Sequence, residues 1–154
     1  MLNEELSKKI KLSNNFSLWE FLRSDDAVRY GLMALQFVVE WIEFASMQLL
    51  CIKVLEPLRS FLNESIIITS GKRSASLNTK IKGALNSHHV RCMAADFECS
   101  DLEKAFEYIM NNLKFTQVIL EDDGKHRWVH VSYDPNDLRC EALKFENGKY
   151  IRVN

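Results

Sequence analysis

The first third of the chain places hydrophobic residues at the spacing of α-helices. Residues 17–20 (SLWE) fit a capping box, and Asp25 and Asp26 favour a second helical start. From about residue 34 to 62, apolar residues occupy most faces of a helical pattern, which is typical of a central helix covered by its neighbours. Because Pro57 lies inside this stretch, we expect a kink or a break there.

Beyond residue 64 the pattern changes to short runs of apolar, often β-branched residues. These runs predict strands and a closing hairpin with an Asn-Gly turn, and they cover residues 65–69, 93–99, 115–121, 127–133, 138–145 and 149–153. One helical turn is expected around 75–81, and a capping box at 100–103 (SDLE) opens an amphipathic helix from 101 to 113. The pattern therefore predicts an α+β fold in one domain, residues 1–154, with N-terminal helices packed on a small, mainly antiparallel sheet.

The charges of the chain nearly cancel, since 20 basic and 21 acidic side chains give a formal net charge of −1. Nucleic-acid-binding domains usually carry a basic excess, so we expect no nucleic-acid partner. Residues 37–55 are apolar over a length that could span a bilayer, but Glu40, Glu43 and Lys53 interrupt them. We therefore expect a buried helix and no membrane span. The charge balance gives no indication of the oligomeric state.

The N-terminal residues 1–16 lack the apolar core of a signal peptide. This predicts synthesis in a reducing cytosol, where cysteines stay as free thiols. The chain has four of them, namely Cys51, Cys92, Cys99 and Cys140.

Three side chains from separate parts of the chain have the donor types of a catalytic zinc site. His89 lies in a polar loop, Asp96 lies on the strand that follows, and His130 lies between two valines on a later strand. A catalytic zinc usually has three nitrogen or oxygen ligands from the protein and a water. A strand histidine between valines is more often a hydrogen-bonded core residue, so spacing alone is a weak signal. Asp96 is more informative, because an unpaired carboxylate in an apolar strand is costly to bury.

The stretch ITSGKRSASLNTKIKGALNSHHVRCMAADFE (68–98) resembles the zinc D-Ala-D-Ala carboxypeptidase family. That family includes phage-type muralytic peptidases and shares its fold with the Hedgehog signalling domain. Its signature S-x-H-x-x-G-x-A-x-D is matched over residues 87–96 except at the glycine, and its later strand W-[IV]-H-[VI]-S is matched by WVHVS (128–132). The segments at 12–31, 54–61 and 115–121 are also similar, in the same order, so the resemblance covers nearly the whole chain.

The resemblance implies a Zn²⁺ cofactor with His89, Asp96 and His130 as ligands. It also implies that Arg73, in SGKRS, binds the substrate and stabilises the developing oxyanion. The implied function is hydrolysis of peptide bonds in bacterial peptidoglycan, in stem or cross-link peptides, by attack of metal-bound water. Such an enzyme is a carboxypeptidase or an endolysin-like endopeptidase of bacteriophage type. The alternative is a non-catalytic zinc-containing module that binds cell wall or serves as a virion structural component.

The implied site of action is the bacterial cell wall. Without a signal peptide, release from the host cytoplasm would need a holin-like pore, host lysis or packaging into a virion.

The general base has two candidates. Some branches of the family place an acidic residue three positions before the last ligand, but here that position is Arg127, which cannot act as a base. Glu121 ends a predicted strand and matches a glutamate common in phage-type members. It faces the same side as His130 if the connecting loop has four residues, and the opposite side if the loop has five. His126 lies four residues before His130 and shares its face if the strand extends that far.

Several positions depart from the family pattern. Cys92 replaces the motif glycine, where it could be a soft ligand, a reactive thiol or inert. Lys72 replaces the tyrosine usual in SGYRS, and His88 could compete with His89 as a ligand. Residues 33–37 (MALQF) stand where relatives have a polar, proline-containing segment, so a diverged surface is expected there.

Overall fold

A computed structural model describes all residues, 1–154, and places helices and strands in the predicted order. The α-helices are α1 (Glu4–Lys9), α2 (Leu18–Leu22), α3 (Asp25–Arg29), α4 (Met33–Gln36), α5 (Trp41–Leu50), α6 (Glu56–Leu62), α7 (Ala75–Lys80) and α8 (Leu102–Asn112). The strands are β1 (Ile67–Ser70), β2 (Ala94–Glu98), β3 (Gln117–Asp122), β4 (Arg127–Ser132), β5 (Glu141–Glu146) and β6 (Lys149–Arg152).

The six strands form one mixed sheet in the order β1-β2-β4-β3-β5-β6. Every neighbouring pair is antiparallel except β3 and β5, which are parallel. The α+β fold with a mainly antiparallel sheet is therefore confirmed. The parallel pair allows the C-terminal β5–β6 hairpin to extend the sheet beyond β3, which the local sequence pattern did not predict.

The core lies between the helices and one face of the sheet. Side chains alternate along each strand, so Ala95 and Phe97 of β2 and Val129 and Val131 of β4 are all fully buried in the same hydrophobic cluster. Residues between them point to the opposite face of the sheet. This alternation leaves the polar side chains of β2 and β4 on a face that is open to a cleft.

The prediction of one helix over about 34–62 was wrong in its first part. The chain leaves helical geometry after α4, and α5 begins with a capping box in which the Glu40 amide donates to Glu43 Oε2 at 3.0 Å. The predicted disturbance near Pro57 is present. A π-helical turn, Cys51–Leu55, joins α5 to α6 directly before it, because proline has no N–H for the carbonyl four residues earlier.

The start of α8 also differs from the prediction by one residue. Asp101 caps this helix, and its Oδ1 accepts from the Lys104 amide at 2.9 Å. Ser100 instead donates its hydroxyl to Glu64 at 2.7 Å, so the predicted capping box is not formed. No helix combines the length and the apolar character that crossing a membrane would require.

Candidate metal centre

Two adjacent strands present a carboxylate and an imidazole side by side. Asp96 of β2 is the register partner of His130 of β4, and both point away from the core because their neighbours along each strand are buried. The distance from His130 Nδ1 to Asp96 Oδ1 is 2.9 Å. Antiparallel pairing alone therefore brings these two residues together.

His89 completes the cluster from the loop before β2. Its Nε2 lies 3.2 Å from Asp96 Oδ1 and 3.2 Å from His130 Nδ1, and the residue is only 3% exposed. On the other side of the ring, Nδ1 lies 2.7 Å from the backbone oxygen of Gly71. Because a carbonyl oxygen can only accept, His89 carries a proton on Nδ1, and its neutral form, the form that binds a metal, directs the lone pair of Nε2 into the cluster.

The geometry of the three donor atoms fits a divalent cation. In a tetrahedral zinc site with bonds of about 2.0–2.1 Å, neighbouring ligand atoms are about 3.3 Å apart. The observed separations of 2.9 to 3.2 Å come close to that value. The His89 lone pair also faces a carboxylate oxygen, a repulsive contact that a shared cation removes. The three predicted residues thus form a cluster that could hold a metal ion, with room for a further ligand.

The electrostatics of the cluster favour an ionised carboxylate. Burial by itself raises the pKa of Asp96, but the positive charge and hydrogen bonds of His89 and His130 in their protonated forms more than offset this effect. The pKa of Asp96 is therefore held well below its usual range, and the side chain carries a negative charge near neutral pH. An anionic oxygen and two imidazole nitrogens are donors that zinc accepts.

Arg73 lies at the edge of the cluster. Its Nη2 is 3.8 Å from Asp96 Oδ2 and 3.4 Å from Ser70 Oγ, and its Nη1 donates to Asn78 Oδ1 at 3.4 Å. Burial lowers the pKa of Arg73 and Asp96 opposes the shift, so the guanidinium remains charged. A mostly buried, fixed cation beside the cluster can offset negative charge that develops on a bound carbonyl oxygen.

A cleft of about 600 Å³ opens over the cluster and Arg73. One side consists of β2, β4 and the loop before β2, the other is the C-terminal hairpin, and β3 lies between them. Its lining includes Asn86, Ser87, Trp128, Leu143 and Tyr150. Polar and aromatic side chains together with the open shape suit a peptide better than a small apolar ligand.

The two candidate bases are separated by the structure. Glu121 pairs with Trp128, as a four-residue loop requires, so its side chain points to the His130 side and lines the cleft. His126 lies in the turn before β4, is 74% exposed at its side chain, and does not line the cleft. Only Glu121 is therefore placed near the metal cluster.

The environment of Glu121 suits a proton acceptor. Burial raises the pKa of Glu121, and the nearby Asp96 charge acts in the same direction, while His130 lowers it. The Tyr150 hydroxyl donates to Glu121 Oε1 at 3.3 Å, which stabilises the ionised form. A carboxylate with a raised pKa accepts a proton from water more readily than an ordinary surface glutamate.

The departures from the family pattern do not enter the cluster. Cys92 is fully buried with φ +57°, and burial raises the pKa of its thiol to about 12. It is therefore a neutral thiol at neutral pH. The Lys72 ammonium pairs with Glu43 Oε2 at 2.6 Å and does not line the cleft. His88 lines the cleft outside the three-residue cluster, and burial together with nearby cations lowers its pKa to about 4.

The sequence pattern did not indicate the cleft residues contributed by the C-terminal hairpin. Glu141, Leu143 and Tyr150 reach the cleft because β5 pairs with β3 in parallel register. The pattern also did not indicate Asn78, which holds Arg73 and whose amide donates to the Ala84 oxygen at 3.0 Å. No local pattern indicates the pairing of β3 with β5, and the sequence around Asn78 is typical of an ordinary short polar helix.

The comparisons with known proteins agree with this geometry. A sequence model of the family Peptidase M15 matches residues 14–132, which is well over half of the chain and includes the whole three-residue cluster and Arg73. No curated protein matches the chain. The extent of the family match shows that this chain belongs to Peptidase M15, a family of zinc-dependent peptidases.

Proposed function

We propose that this chain is a zinc-dependent peptidase of bacterial peptidoglycan, with His89, Asp96 and His130 as its zinc ligands. The observation that carries the proposal is the convergence of three donor atoms, 2.9 to 3.2 Å apart, at the base of a peptide-sized cleft. The membership in Peptidase M15 supports the reaction class. The motif resemblance to carboxypeptidases and muralytic peptidases supports a stem or cross-link peptide as substrate.

The roles of the surrounding residues follow from their positions. When bound, zinc supplies a Lewis acid that polarises the scissile carbonyl and makes water a nucleophile near neutral pH. Glu121 accepts a proton from the attacking water and returns it to the leaving amine. Arg73 holds its positive charge beside the carbonyl oxygen, where it stabilises the negative charge of the tetrahedral stage. No covalent bond between substrate and protein forms.

The site of action follows from the substrate. We place the working protein at the bacterial cell wall, where stem peptides and their cross-links are exposed to it. The cleft lies on the open face of the sheet and has aromatic walls at Trp128 and Tyr150, against which an extended peptide can lie.

The proposal is tested by incubating the protein with purified peptidoglycan and measuring the release of new free amines. We expect release by the zinc-loaded protein, loss with a chelator, and recovery when zinc is restored. His130→Ala should abolish release, while His126→Ala serves as a matched control because it removes an exposed histidine outside the cleft. Release that survives both the chelator and His130→Ala would refute the metal mechanism. Zinc binding without release would refute catalysis and favour a cell-wall-binding module.

A further inference from the structure

The loop after β1, residues 71–74, carries Arg73 and has no strand or helix to hold its backbone. We name it the arginine loop. Its polar backbone groups are bonded to groups from distant parts of the chain. The Lys72 amide donates to the Phe21 oxygen at 2.7 Å, and the Arg73 amide donates to the His89 oxygen at 3.1 Å. The position of Arg73 therefore depends on residues far away in sequence.

One side chain, Gln36, bonds the arginine loop on both sides of Arg73. Its Nε2 donates to the Lys72 oxygen at 2.7 Å, and its Oε1 accepts from the Ser74 amide at 2.9 Å. A longer contact of 3.3 Å joins Nε2 to the Leu22 oxygen. Gln36 is fully buried, so no water competes for these bonds. Residues 33–37 were expected to be a diverged surface, but Gln36 within them faces inward.

A second anchor comes from the next helix. Glu43 of α5 holds the Lys72 ammonium at 2.6 Å, and the Lys72 side chain is 5% exposed. The segment from α4 to the first turn of α5 thus contacts the arginine loop in two ways. The two hydrogen bonds of Gln36 to the loop backbone form what we call the clamp, and Glu43 forms the ion pair with Lys72. The clamp acts directly on the two peptide units that flank Arg73, whereas the ion pair acts on a neighbouring side chain.

We propose that Gln36 is a positioning residue for Arg73: its amide fixes the arginine loop so that the guanidinium stands beside the metal cluster. This inference rests on the proposed function, because it assigns Arg73 a role in the reaction. Gln36 touches neither the cleft nor the three-residue cluster. It acts only through the backbone around Arg73, and a misplacement of about 1 Å at such a group can lower a rate by roughly 100-fold.

The first test is a double-mutant cycle on peptidoglycan hydrolysis. Gln36→Leu removes both hydrogen bonds to the arginine loop and fills the buried site with an apolar side chain. We expect kcat to fall about 10- to 100-fold with KM within about threefold, because Arg73 acts on developing charge. In an Arg73→Ala background, Gln36→Leu should lower kcat by less than about twofold. A full and additive loss in that background would overturn the proposal.

Two further variants separate positioning from general destabilisation. Gln36→Met keeps the length of the side chain but has no N–H donor and no amide oxygen, so its kcat should match that of Gln36→Leu. Leu58→Ala removes a fully buried side chain of α6 and lowers stability without touching the clamp. We expect Leu58→Ala to leave kcat within about twofold at a temperature where it is folded. A wild-type kcat in Gln36→Met, or an equal loss in Leu58→Ala, would contradict the proposal.

The second test needs neither metal nor activity. Amide hydrogen exchange should rise at least about tenfold at Ser74 in Gln36→Leu, because its acceptor is gone, while the amides paired between β2 and β4 stay protected. Unchanged exchange at Ser74 would refute the clamp even if the enzyme is active. If the wild-type protein shows no hydrolysis, both the proposed function and the catalytic role of the clamp are refuted. Retained kcat in Gln36→Leu would refute the positioning role alone.

Discussion

The two sides of the cleft are built in different ways. On one side, β2, β4 and the loop before β2 form what we call the metal wall, where His89 is buried, contacts Asp96 and donates to the Gly71 oxygen. On the other side, the β5–β6 hairpin forms a hairpin wall whose β6 residues are all exposed, including Tyr150 at 57%. The family match ends at residue 132, before the hairpin begins.

This difference indicates that the metal wall is the more rigid side of the cleft. Side chains of the metal wall have few alternative positions, because burial and several simultaneous contacts define each of them. Tyr150 on the hairpin wall reaches the site through one hydrogen bond to Glu121 at 3.3 Å. We therefore expect changes in the metal wall to abolish the reaction, and changes in the hairpin wall to adjust its rate and its pH dependence.

The largest effect is expected at the centre of the metal wall. Asp96→Asn keeps the size of the side chain but removes its negative charge and one strong zinc donor. Hydrolysis should fall at least about 1000-fold, since the metal supplies both the electrophile and the activated water. Free-amine release from peptidoglycan measures this change. Activity within tenfold of wild type would show that Asp96 is not a ligand.

A somewhat smaller loss is expected at Glu121, where the two walls meet. Glu121→Gln keeps the shape but cannot accept a proton, so kcat should fall about 100- to 10,000-fold. Zinc content should stay at the wild-type value, because Glu121 is not in the three-residue cluster. Rates and elemental analysis on the same preparation separate the two roles. Loss of zinc together with activity would make Glu121 a ligand instead of a base.

A moderate loss of kcat is expected when Asn78, which contacts the Arg73 guanidinium, is displaced. An added Cβ at Gly83 would overlap the Asn78 side-chain oxygen, which accepts from Arg73 Nη1. Gly83→Ala should therefore displace Asn78 and lower kcat about tenfold, in the range of other positioning losses. Gly124→Ala is a control for glycine replacement, because Gly124 has open space around it, although its φ of +83° adds strain. Equal rates for Gly83→Ala and wild type would exclude Asn78 as a support of Arg73.

The smallest effect is expected on the hairpin wall and concerns pH. The Tyr150 hydroxyl stabilises the ionised form of Glu121, so Tyr150→Phe should raise the pKa of Glu121 further above its ordinary value. The base works only when ionised, and activity therefore rises with pH through this pKa. The acid limb of the kcat profile should shift to higher pH in Tyr150→Phe, with little change on the plateau. A shift to lower pH would contradict the assigned contact.

The sequence predicted the metal wall far better than the hairpin wall. His89, Asp96 and His130 lie in motifs whose local spacing is retained, and strand alternation was enough to place Asp96 and His130 on one face. The choice between Glu121 and His126 depended on one residue of loop length, which only the register of β3 and β4 decides. The pattern could not predict that β5 pairs with β3, because this contact joins distant segments.

The position of Gln36 is a second feature that the sequence pattern could not predict. In sequence it is one polar residue in an apolar stretch, and the same stretch was predicted as part of a long helix. The chain instead breaks after α4, which directs Gln36 to the arginine loop. A buried polar side chain bonded only to backbone leaves no periodic signal, since its partners are set by tertiary packing.

The most direct test of the account is the zinc content of protein purified without added metal and then titrated with zinc. We predict one zinc per chain in wild type and in His126→Ala, and far less than one in His89→Ala, Asp96→Ala and His130→Ala at the same free zinc concentration. A wild-type protein that binds no zinc, or a His130→Ala variant that binds it as tightly as wild type, would contradict the central claim.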